Sequence, residues 1–112
     1  MNLTQRNQRI KLSEFKADFF KALSNPLRIR ILDELRDGEL SVSEIRDRVD
    51  VELPNVSQQL AVLKAKKLVI SRKEGVNIYY ACSDAKIFKL LDVAKEIFNA
   101  HLNDLQKTLR TL

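Results

Sequence analysis

Apolar residues recur at helical spacing along most of this chain, and the few prolines and glycines fall where that spacing breaks. From Leu12 they return at Phe15, Phe19 and Leu23, with Phe20 and Ala22 beside them, which predicts an amphipathic helix over 12–23. Asn25-Pro26 ends it and opens a second helix, with Asn25 as N-cap and Pro26 at the first helical position, where a missing N–H costs nothing. Leu27, Ile31, Leu32 and Leu35 turn inward, and Asp37-Gly38 closes this helix, glycine suiting the left-handed residue there. Residues 1–10 are polar and are expected to be flexible.

Ser41 and Glu44 stand three apart in a capping-box pattern before a short helix that uses Val42, Ile45 and Val49. Pro54 is tolerated only in a first helical turn, so the next helix is expected to start there and run to about Lys67. The period then changes. Residues 68–70 and 77–82 are strand-like, and 71–76, with Gly75, reads as the turn of a hairpin. Ser83-Asp84 caps a long last helix over 84–110, with Ile87, Leu90, Leu91, Ala94, Ile97, Phe98, Leu102, Leu105 and Leu109 as its apolar positions. The expected fold is mainly α with a small β-hairpin, in the order ααααββα. That is one domain over 1–112, with a helix-turn-helix at 41–67 and a wing at 68–82.

The fourth helix has an unusual outward face. At about 100° per residue, Val56, Leu60 and Leu63 form a buried stripe, with Lys67 near it and Gln59 at its edge. Pro54, Gln58, Ala61 and Ala65 point the other way, flanked by Asn55, Ser57 and Val62. A merely solvated face normally carries Glu and Lys; this one carries amides, a hydroxyl and small apolar groups. Such a face can approach a groove floor, where a glutamine amide pairs with adenine and methyls touch thymine. Lys64 and Lys66 lie to the sides, where phosphates run. In the hairpin, Arg72 and Lys73 precede the turn and Asn77 follows it, placing donors for a phosphate or the minor groove. Glu74 pulls towards an ordinary solvated turn, but helix-turn-helix and basic wing in succession are more specific than either alone.

Composition agrees. The 112 residues carry 20 Lys and Arg against 15 Asp and Glu, a formal charge of +5 that favours an anionic partner. Cys82 is the one cysteine, so no intrachain disulfide forms. No apolar run is long enough to span a bilayer, and the N-terminus lacks a signal-peptide core, so a cytoplasmic protein without a membrane partner is expected. With one histidine, no nucleophile–base set and no glycine-rich phosphate loop, catalysis is not expected.

The segments KALSNPLRIRILDEL, LSVSEIRDRV, NVSQQLAVLKAKKLV and SRKEGVNIYYACSD together resemble the ArsR/SmtB-type winged helix-turn-helix repressors over essentially the whole length. The resemblance implies a dimeric repressor that leaves its operator when a signal arrives. Asn55, Ser57, Gln58 and Gln59 match the family's recognition-helix positions, and Arg72 and Asn77 its wing. The family's usual metal-ligand positions are not filled. Ser41-Val42-Ser43 stands where one family site has paired cysteines, and hydroxyls are poor ligands for soft metals. A second family site lies on the last helix; Asp84 matches it, but Lys86, Ile97 and Ala100 stand at the other ligand positions. No cofactor is expected.

The first and last helices carry more apolar surface than a small core covers. Leu12, Phe15 and Phe19 are expected to meet Leu91, Phe98, Leu102 and Leu105 across a two-fold axis, setting two reading helices about one DNA turn apart. His101 and Asp104 share a helical face and, doubled in such a dimer, offer two imidazoles and two carboxylates to zinc; the plainer reading is a polar edge of the seam. Cys82 is a candidate redox residue, though the family's thiol sensors use two cysteines and a single one is more often a small buried hydrophobe. The alternative to a DNA-binding repressor is a winged-helix protein-interaction module without specific DNA binding.

Overall fold

Caps and turns set the boundaries of the eight elements found in the computed structural model, which describes residues 1–112. The helices are α1 (Leu3–Leu23), α2 (Pro26–Glu34), α3 (Val42–Val49), α4 (Leu53–Ala65) and α5 (Lys86–Thr111); the strands are β1 (Leu40–Ser41), β2 (Val69–Glu74) and β3 (Asn77–Cys82). Asn25 caps α2 as its sequence predicts, its side-chain oxygen accepting from the N–H groups of Leu27 and Arg28. Ser41 and Glu44 close the expected capping box at the start of α3.

Several expectations are corrected. The first helix does not wait for Leu12: it begins at Leu3, where Asn2 and Gln5 form a capping box of their own. α2 ends at Glu34 rather than at Asp37-Gly38; Gly38, at φ +130°, follows a turn after the cap Leu35. α4 starts one residue before Pro54 and stops at Ala65, short of Lys67. There the Lys67 N–H reaches the Lys64 carbonyl and the Leu68 N–H the Leu63 carbonyl, the Schellman pattern. Lys67 takes the left-handed conformation at φ 62°, so it is an exposed cap rather than a neighbour of the buried stripe. α5 starts at Lys86, whose N–H is capped by the Asp84 carboxylate.

The wing is longer and its turn tighter than the sequence suggests. β2 and β3 pair from Val69 opposite Cys82 to Glu74 opposite Asn77, so only Gly75 and Val76 remain as the loop, not 71–76. Gly75 has φ +61° and Val76 a negative φ, the signature of a type II′ turn with glycine at its first central position. The order ααααββα also omits a strand: β1 pairs antiparallel with β3, giving a three-stranded sheet in the order β1-β3-β2. Two residues carry no alternation to detect; Leu40 and Ser41 become a strand only because Tyr80 and Tyr79 lie opposite.

The core is small. Fourteen residues are buried, all apolar, and they lie where α2, α3, α4 and the base of the wing meet. α1 gives it only Ala22 and Leu23, and α5 only Ile87. Both long helices therefore project from the centre. The radius of gyration is 18.0 Å, against about 13 Å for a compact chain of this length. No helix is long and apolar enough to cross a membrane.

Candidate nucleic-acid interface

α3 and α4 are joined by three residues. Asp50 takes the left-handed conformation at φ 53° and donates its N–H to the Arg46 carbonyl, ending α3 sharply enough for α4 to turn away. Val56, Leu60 and Leu63 fix the back of α4 in the core at 0–1% exposure. Asn55, Ser57, Gln58, Ala61 and Lys64 are consequently exposed on its free side, and Val62 is half-buried at the margin. Gln58 and Lys64 make no side-chain bond within the chain, so both are free to meet a ligand.

Gln59 is placed differently. It is half-buried, and both ends of its amide are engaged: the Arg28 Nη1 group donates to Oε1 at 2.9 Å, and Nε2 donates to Asn55 Oδ1 at 3.2 Å. Arg28 itself donates from Nε to the Ala22 carbonyl at 2.6 Å and from Nη2 to the Lys21 carbonyl at 3.3 Å. Sequence reasoning missed Arg28. No periodicity connects it to a residue 31 positions away; only the packing of α2 on α4 brings them together.

In the wing, Arg72 is not a free cation. Its guanidinium forks onto Glu39, bonds Glu74, and lies over the Tyr79 ring at 4.6 Å. Successive strand residues face opposite sides, so Arg72 and Glu74 share a face and Lys73 takes the other. The fork holds the Glu39 carboxyl below its ordinary range, and the two carboxylates raise Arg72 further. Lys73 and Asn77 are exposed without side-chain partners, and Val76 forms the tip at 94% exposure.

The residues expected at a dimer seam divide into two groups. Phe19 and Leu91 are half-buried and pack on the core of their own chain. Leu12, Phe15, Phe98, Leu102 and Leu105 lie exposed, Phe15 at 69% and Phe98 at 64%. His101 and Asp104 are exposed on α5, and no three metal-ligating side chains converge within one chain. Cys82 is half-buried, its thiol 3.4 Å from the Asp84 carbonyl; burial raises its pKa.

A tri-helical helix-turn-helix whose last helix exposes an amide-bearing face, followed by a β-hairpin, defines a winged helix-turn-helix DNA-binding domain. The helix-turn-helix domain family matches residues 23–72. An uncharacterised HTH-type transcriptional regulator of Mycobacterium tuberculosis, Rv0081, is 38% identical over 102 residues, 90% of each chain. Its crystal structure superposes with a TM-score of 0.75, covering 83% of this chain and 94% of that one. The transcriptional repressor BigR of Xylella fastidiosa is 32% identical at a TM-score of 0.72, covering 83% and 95% of the two chains. The homodimeric winged helix-turn-helix domain of Mb0332 from Mycobacterium bovis, a possible ArsR-family regulator, is 31% identical at 0.76, covering 87% and 90%. The chain belongs to the ArsR/SmtB family of winged helix-turn-helix transcriptional regulators. It is a DNA-binding regulator of the repressor type, and the reading as an interaction module without specific DNA binding falls away.

Proposed function

We propose that the protein is a cytoplasmic homodimeric repressor that inserts α4 of each protomer into successive major grooves of a near-palindromic operator, with the wings on the flanking backbone. The observation that carries this reading is the exposed, uncharged set Asn55, Ser57, Gln58 and Ala61 on a helix whose other side is locked in the core. Gln58 reads adenine N6 and N7, Ala61 and Val62 contact thymine methyls, and Lys64, Lys73 and Asn77 hold phosphate or sugar.

Dimerisation runs through α1 and α5. Phe98, Leu102 and Leu105 continue as an exposed stripe along a helix about 39 Å long, most of which no part of its own chain covers. The Mb0332 domain is homodimeric, which supports a homodimer here as well. Release from the operator does not use the family's metal positions, because Ser41, Ser43, Lys86, Ile97 and Ala100 supply no suitable donor.

Nuclease protection on DNA upstream of the protein's own gene tests the reading. A protected inverted repeat whose affinity falls steeply with salt is expected, since phosphate contacts release counterions. Binding that is weak and indifferent to sequence would overturn it.

A further inference from the structure

The three amides of α4 are not equivalent, and the difference originates in Arg28. A guanidinium has donors and no acceptor. Held between the Lys21 and Ala22 carbonyls at the end of α1, Arg28 therefore obliges Gln59 to present its Oε1 oxygen, at 2.9 Å. That rotamer turns the Gln59 NH2 group to Asn55, which must accept with Oδ1, at 3.2 Å. With Oδ1 bonded to Gln59, the side-chain group of Asn55 that has no partner within the chain is its own NH2. The polarity of both amides thus follows from a residue that cannot accept, and needs no assumption about their orientation.

Resting on the placement of α4 in the major groove, we propose that Arg28 is a positioning residue for base recognition: through Gln59 it fixes Asn55 as a donor-only reader. A donor favours guanine, with its two acceptors N7 and O6, or thymine O4, and rejects cytosine, whose groove edge offers N4–H2. The two-way adenine contact needs oxygen and nitrogen together, so it falls to Gln58, which has no partner within the chain. Gln59 is withdrawn from reading. Arg28 also grips the last carbonyls of α1, so the amide relay is anchored on the helix proposed to form the dimer.

Selection of binding sites from randomised duplexes tests this on the full chain, comparing wild type with Arg28→Met, Arg28→Lys, Asn55→Asp and Gln58→Ala. Wild type is expected to enrich, in each half-site, one position favouring guanine or thymine over cytosine and a separate position favouring adenine. Arg28→Met flattens the first preference about tenfold and leaves the second; Gln58→Ala does the reverse. Arg28→Lys, still a pure donor, restores the first, whereas Asn55→Asp, with no donor, abolishes it. If Arg28→Met does not fold by thermal melting, Gln59→Glu replaces it: it keeps the bond to Arg28 but can only accept from Asn55, which then turns its oxygen outward, and the first position shifts towards cytosine and adenine, whose N4 and N6 amino groups donate. An unchanged base preference with uniformly weaker binding in Arg28→Met, or in Gln59→Glu where it stands in, would overturn the relay. Absence of any enriched sequence for wild type would overturn the placement of α4 and the relay with it.

Discussion

The guanidinium of Arg72 lies over the ring of Tyr79, its partner across the β2–β3 ladder, at 4.6 Å while forking onto Glu39. A phosphate approaching the wing must compete with Glu39 and Glu74 for that cation. Glu39→Gln is therefore expected to tighten DNA binding severalfold at low salt and to steepen its salt dependence, because one more cation becomes available to phosphate. Titrations of a labelled operator between low and physiological salt measure both. An unchanged affinity and slope would mean that Arg72 stays with its carboxylates when DNA is bound.

Gln58 should behave in the opposite way, as a residue concerned with sequence rather than charge. Gln58→Ala is expected to lose about 1–3 kcal/mol on the preferred site, with little change on unrelated DNA and no change in salt slope. Competition titrations with specific and random duplexes separate the two effects.

Much of this was legible in the sequence. The buried stripe of Val56, Leu60 and Leu63 and the amide face opposite it follow from helical spacing alone, and both caps at Asn25 and Ser41 stand where they were expected. What escaped depends on partners distant in sequence. β1 exists only through Tyr79 and Tyr80, Arg28 meets Gln59 across 31 residues, and Arg72 meets Glu39 across 33. The start of α1 was missed for a local reason: its capping box uses Asn and Gln in place of the commoner Ser or Thr with Glu.

The exposed stripe on α5 predicts an obligatory partner. Phe98→Glu or Leu102→Glu places a charge where two apolar faces are expected to meet, which is costly without a counter-charge. Sedimentation should move from dimer to monomer, and operator affinity should fall by orders of magnitude because two half-sites no longer act together. A dimer that survives both substitutions would place the interface elsewhere.

Lys67 occupies a left-handed conformation that costs a side-chain-bearing residue of order 1 kcal/mol. Lys67→Gly is expected to raise stability by about 0.5–1 kcal/mol in denaturant titration, since glycine relieves that strain at the end of α4. Loss of stability would show that the lysine side chain holds the helix end by some other means.

Acid should loosen the start of α3. The Ser41 backbone N–H bonds the Glu44 carboxylate and holds its pKa below the ordinary 4.5. A carboxyl lowered in the folded state stabilises it above the ordinary value, and that contribution is lost as pH falls through the folded pKa. Helical signal should therefore decline below about pH 4.5 in the wild type, and Glu44→Gln should reduce the part of this loss that comes from α3. An identical acid titration in the variant would show that the capping box is not what senses pH.

The most direct test of the central claim is the sequence that the dimer selects from random DNA. The account predicts an inverted repeat whose half-site centres lie about 10–10.5 base pairs apart, or a multiple of that, with adenine enriched where Gln58 reads. A single unrepeated motif, or no enrichment over bulk DNA, would contradict it.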